Sequence, residues 1–200
     1  MSRSPFPIVV PLSRSRTAAV YLAYLLLHIA FDASARWFEV TPGVSIWYPP
    51  VGLALALATM TGLRCAPVVL AANLYSGFIT SNSPSSWTQP ALPLLITLIY
   101  VGTGALAHRF FGPVPRPPRP GQTAALVGLF LAAPLAAALL GALTVAAGGL
   151  LPASAFSRVA FGWWIGDLTG VLTVVPLCLV HVAPRLLEQQ EVGDEDRRGV

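Results

Sequence analysis

The chain has 200 residues, of which 55% are hydrophobic and 10% charged, and its mean hydropathy is +0.70. Soluble domains usually carry about 25% charged residues, so the composition excludes a soluble globular domain and points to an integral membrane protein. The net charge of +4 comes from twelve arginines and no lysine, spread over loops; with no basic stripe of the kind phosphate binding needs, no nucleic-acid partner is expected.

Residues 1–16 form a polar, proline-containing leader with Arg3, Arg14 and Arg16. The first apolar run, 17–33, ends near Ala33-Ser34-Ala35, which has the look of a secretory cleavage site. The run is long for a signal core, holds His28 and Asp32, and is followed by more apolar runs, so it reads as a membrane span. The second span, 44–62, opens on Ile46-Trp47-Tyr48-Pro49-Pro50-Val51-Gly52. Trp47 and Tyr48 suit the headgroup boundary. Pro49 and Pro50 suit a helix start, where a missing amide hydrogen costs little.

A short turn, Gly62-Leu63-Arg64, leads to the third span, 65–79, with Asn73 and Tyr75. A polar loop, 80–90, precedes the fourth span, 91–111, in which Gly102 and Gly104 give a small patch. Residues 112–121 hold five prolines and two arginines and read as a stiff, extended, basic loop. In the fifth span, 123–150, Ala133, Ala137 and Gly141 repeat at four, and Pro134 is expected to kink the helix. The sixth span covers 158–182, and the tail 184–200 is polar and acidic.

Arginines crowd the leader, Arg64, the loop after span four and the tail, while the opposite side has only Arg36 and Arg158. By the positive-inside rule both termini are cytoplasmic. The expected fold is therefore all-α: a polytopic integral membrane helical bundle of about six transmembrane helices, residues 17–183, in a bacterial inner membrane.

The stretch 161–176 reads FGWWIGDLTGVLTVVP. Gly162, Gly166 and Gly170 recur every four residues and share one helix face, where a neighbour can approach closely. Packing within one bundle is the plain reading; homodimerisation through that face is the sharper one. Asp167 lies roughly 12–15 Å from the outer end at 1.5 Å per residue, and a charge there costs about 2.5–3.5 kcal/mol. It should face the bundle, either as a functional group or as a hydrogen-bonder to a helix. Trp163 and Trp164, four and three residues earlier, share its side and would wall a pocket above it. Asp32, Arg36, Trp47 and Asn73 could join one outward-opening polar cavity. Ordinary roles stand beside this: Trp47 as an interface anchor, Asn73 as an interhelical bonder, and Arg36 with Glu39 as a solvated loop pair. Pro49, Pro50 and Gly52 shape the entry to the second span.

No nucleophile sits beside a histidine, no carboxylates are usefully paired, and His28, His108 and His181 are far apart. No catalytic set, metal site or cofactor is expected. Cys65 and Cys178 read as free buried thiols near the cytoplasmic side.

Two stretches, Ile46–Leu57 with the following Gly62–Pro67, and Trp163–Leu177, resemble the first class of membrane-associated sensor (MASE) domains. Those are the membrane modules of bacterial histidine kinases and diguanylate cyclases. The first resembles a W-x-P-x-G opening followed by a G-x-R-x-x-P turn, the second a W-x-x-G-D-x-x-G-x-x-x-x-x-P-L signature. The resemblance implies a non-enzymatic signal-input module whose partners are the lipid bilayer and a cytoplasmic kinase or cyclase output domain or a partner membrane protein. Such domains commonly have about eight spans; six are expected here, with a tail too short for an output domain, so a fragment or a stand-alone relative is expected. The alternatives are a small transporter or substrate-binding membrane subunit and, less well supported by the residues, a membrane-embedded peptidase or transferase.

Overall fold

The computed structural model describes residues 14–41, 43–80, 87–112 and 120–186. Arg3 and most of the leader, residues 81–86, Arg116 and Arg119 of the proline-rich loop, and the tail from 187 onward lie outside them. Among the described residues there are six α-helices: α1 (Arg14–Ala35), α2 (Pro49–Thr61), α3 (Ala66–Thr80), α4 (Thr88–Phe111), α5 (Pro120–Ala147) and α6 (Phe156–Leu177). A π-helical turn, Cys178–Val182, continues α6. A two-stranded antiparallel ribbon, β1 (Glu39–Thr41) with β2 (Val44–Ser45), follows α1. Five stretches are long and apolar enough to cross a membrane: Ser15–Phe38, Pro49–Ile79, Thr88–Phe111, Pro120–Ala147 and Ala153–Leu186.

The stretch Pro49–Ile79 is not one rod. Gly62 takes φ +66°, a left-handed value that glycine tolerates, and a 3₁₀ turn, Gly62–Cys65, reverses the chain. Contacts with α4 fix the two directions. Leu55 and Ala58 pack on Gly104, and the Thr59 carbonyl meets His108 Nδ1 at 2.9 Å, so α2 runs parallel to α4. Asn73 donates to Thr97 at 2.9 Å and Gly77 packs on Pro93, so α3 runs antiparallel to it.

Of the second predicted span, 44–62, only the part from Pro49 to Thr61 is α-helix. The 13 residues of α2 rise about 20 Å at 1.5 Å each, short of a hydrocarbon core of about 30 Å. Residues 44–48 precede α2 as non-helical chain, Val44–Ser45 in strand and 46–48 irregular. The prolines cause the break. Pro49 pushes Tyr48 out of the helical region, to φ −126° and ψ 79°. Pro49 and Pro50 fit the first helical turn but cannot continue a helix upstream.

Every residue from Pro49 to Thr59 is buried, as expected of a helix that is apolar on all sides. Helix α2 packs against α1, α4 and α6 and forms the centre of the bundle. The outer faces carry exposed leucines, among them Leu26, Leu98, Leu143 and Leu172, which suits contact with lipid tails. Gly104 meets α2, whereas a side chain at Gly102 would meet open space. Helix α5 stays helical through the buried Pro134.

Candidate functional site

Non-helical backbone at membrane depth must be satisfied by protein, because lipid offers no hydrogen bonds. Segment 44–48 is satisfied by α6. The Tyr48 amide donates to the Gly166 carbonyl at 2.9 Å. The Thr169 hydroxyl donates to the Ile46 carbonyl at 2.7 Å, and the Trp163 indole to the Gly43 carbonyl at 2.7 Å. In the other direction, the Trp47 indole donates to the Thr173 hydroxyl at 3.4 Å. Within the segment, the Ser45 hydroxyl contacts the Ala35 and Trp47 carbonyls at 2.9 Å each.

The glycine repeat is what lets the segment lie so close. Added methyls at Gly162, Gly166 and Gly170 would overlap Val44, the Ser45 carbonyl oxygen and the Tyr48 carbonyl oxygen, in that order. One turn further on, Gly52 of α2 packs on Gly170 and Val174. The three glycines are thus a packing surface, but their partner is mainly a non-helical segment of the same chain rather than a helix. Pro49, Pro50 and Gly52 form the buried corner at which that strand becomes α2.

Beside this seam lies a cavity of about 750 Å³, within the usual 300–1,000 Å³ of ligand sites. Asp167 lines it from α6, Trp163 lies one turn above, and Tyr48, Asn73, Asp32, Arg36 and Glu39 are among its other polar lining residues. Leu92, Ile96, Ala137 and Val145 supply apolar wall from α4 and α5. Asp167 is 8% exposed. Its Oδ2 accepts a 2.6 Å hydrogen bond from the Tyr100 hydroxyl of α4. Asp32 accepts from the Tyr48 hydroxyl at 2.9 Å and pairs loosely with Arg36 at 3.9 Å.

Five predicted site residues, Asp167, Trp163, Asn73, Asp32 and Arg36, therefore line one cavity, and two do not. Trp47 sits between Phe31 and Phe38, edge-on to both, with centroids 6.1 and 5.1 Å away. Tyr48 rather than Trp47 meets the cavity. Trp164 stacks edge-on against Phe161 at 5.8 Å. At about 100° per residue, Trp163 and Trp164 flank Asp167 on opposite sides, and only the side of Trp163 opens to the cavity. Asn73 serves both of its expected roles, as cavity wall and as the α3–α4 bond to Thr97.

Sequence reasoning missed Tyr48, Tyr100 and Thr169. It also missed a buried polar trio in which His28 Nε2 meets the Ser76 hydroxyl at 3.1 Å and Nδ1 meets the Tyr24 hydroxyl at 3.3 Å. A tyrosine inside an apolar run gives a weak signal, since most membrane tyrosines lie at the interface. Both cysteines are free thiols, Cys65 buried and Cys178 half-buried. Among the described residues no group of histidine, cysteine, aspartate or glutamate could hold a metal ion.

The family model described as MASE1 matches residues 16–191, a range that contains the seam, the cavity, α2 to α6 and all but the first two residues of α1. No curated protein and no solved structure matches the chain.

Proposed function

The chain belongs to the MASE1 family of membrane sensor domains of signal-transduction proteins, and from that premise we propose how it senses. The cavity is the input site, and α6 carries the change toward the end of the bundle that holds the Gly62–Cys65 turn. The observation that carries this reading is that Asp167, at the cavity, and Gly166 and Thr169, which hold segment 44–48, are neighbours on one helix. Anything that shifts Asp167 shifts the seam as well. A ligand can move an equilibrium between two positions of α6 only through different contacts in the two states.

In this reading the protein is multi-pass in a bacterial inner membrane with cytoplasmic termini, as the arginine distribution argues. The module itself is not an enzyme. Its output is a cytoplasmic kinase or cyclase domain or a partner membrane protein, and homodimerisation would rest on faces other than the glycine repeat. The test is a chimera that joins a cyclase output domain after this membrane domain. Asp167→Asn should lock or abolish the response while the protein still inserts; a normal response would overturn the proposal.

A second reading has one observation in its favour. A discontinuous crossing beside a mid-membrane cavity is also how transporters build their substrate sites. Solute uptake into proteoliposomes holding the purified chain would favour that reading over a sensor.

A further inference from the structure

We infer that the cavity takes a small organic cation, a protonated amine on a compact apolar body, with its charge seated on Asp167. The role of this ligand rests on the sensory reading above; its chemistry rests on the cavity.

The floor of the cavity holds a carboxylate without a counter-charge. Asp167 is more than nine-tenths buried, and the Tyr100 hydroxyl, a neutral donor, occupies only Oδ2. Among the described residues no donor reaches Oδ1, and this oxygen is not sealed from the cavity. The one ion pair among the described residues joins Arg36 to Asp32, so Asp167 has no cation of its own. A buried carboxyl without a counter-charge either holds a proton or calls for a cationic partner.

The charges around the cavity agree. Asp32, Glu39 and Asp167 line it against Arg36 alone, three carboxylates to one guanidinium. The N-terminus of α2 adds about half a positive charge, less than one carboxylate carries. Its first two positions are Pro49 and Pro50, which have no N–H to offer an anion. A cation finds a free carboxylate oxygen at Asp167, whereas the one charged donor open to an anion, Arg36, is already paired with Asp32.

The kind of cation follows from the remaining wall. A calcium ion needs six to eight oxygens, and no metal-holding group exists among the described residues. Trp163, Leu92, Ile96 and Ala137 instead offer an aromatic and apolar surface next to Asp167. Such a surface suits the hydrocarbon part of an amine, and the indole can also attract the ammonium group.

The test is calorimetric titration of the full chain in lipid nanodiscs at neutral pH. The probes are primary alkylamines and arylalkylamines, each paired with the alcohol of the same skeleton, plus magnesium chloride. At least one amine should saturate one site and bind about tenfold or more tightly than its alcohol. Asp167→Asn should remove that preference. Amines that bind no better than their alcohols in the unmodified chain would overturn the inference, and that comparison needs no variant to fold. Displacement by magnesium at equal concentration would also overturn it. The output chimera separates the two proposals. Amine binding without a change in output supports the ligand class and counts against the sensory reading. Output that answers another cue, with no amine preference, keeps the sensory reading and overturns the ligand class.

Discussion

The hydroxyl of Tyr100 donates to Oδ2 of Asp167 at 2.6 Å, tying α4 to α6 at the floor of the cavity. The two residues stand 67 positions apart in sequence, so this bond belongs to the packed bundle alone. Removing the donor leaves a buried carboxylate oxygen without a partner, at a cost of about 1–3 kcal/mol. Tyr100→Phe should therefore destabilise the protein by that amount. Asp167→Asn keeps an acceptor for Tyr100 and should stay within about 1 kcal/mol of the unmodified chain. Unfolding in mixed micelles checks the order; a Tyr100→Phe protein at least as stable as Asp167→Asn would refute it.

Two glycine-to-alanine changes should differ sharply. At Gly166 a methyl meets the Ser45 carbonyl, while at Gly102 it meets open space. Overpacking against backbone costs about 1–3 kcal/mol, so Gly166→Ala should lower the melting temperature, and Gly102→Ala should leave it unchanged or raise it slightly. Equal melting curves would show that the strand does not lie on α6.

The hydroxyl of Thr169 holds the Ile46 carbonyl at 2.7 Å. Thr169→Val keeps the shape and removes the donor, which should cost about 1–2 kcal/mol where no water replaces it. Thr169→Ser should recover most of the loss. The local readout is hydrogen exchange at the Tyr48 amide, which donates to Gly166: faster in the valine variant, near normal in the serine variant.

The two thiols should react at different rates. Cys65 is fully buried, and its thiol meets the Gly62 carbonyl at 3.3 Å, whereas Cys178 is half-buried. In native membranes, N-ethylmaleimide followed by mass spectrometry should label Cys178 first, and Cys65 only after unfolding. Labelling at equal rates would mean that the Gly62–Cys65 turn is open.

Much of the scaffold can be read from composition and pattern. Apolar runs bounded by proline and arginine mark the helices, because a membrane span needs about 20 apolar residues. Asp167 and the Gly162–Gly166–Gly170 repeat stand out because a charge and a small-residue face are both unusual in a span. What the pattern hides is who meets whom. A four-residue glycine repeat announces close approach but not whether a helix or a strand arrives. Pro49 and Pro50 mark a helix start, yet nothing local says that Val44 to Tyr48 packs on α6 as non-helical chain, since that depends on donors supplied by Trp163 and Thr169 from over 100 residues away. The division between Trp163 and Trp164 turns on where α5 stands, which is a property of packing. The stretches beginning at Ile46 and Trp163, which resemble the family, meet along one seam.

Segment 44–48 lies on the glycine face of α6. The most direct test of this contact is a disulfide between Val44→Cys and Gly162→Cys, made in a chain with Cys65 and Cys178 replaced by alanine. A Cβ at position 162 stands 3.7 Å from the Val44 Cβ, close to the mean of about 3.8 Å in natural disulfides. Mild oxidation in native membranes, read by mass spectrometry, should give a nearly complete intramolecular cross-link. Little cross-linking of a protein that is inserted and folded would contradict the account.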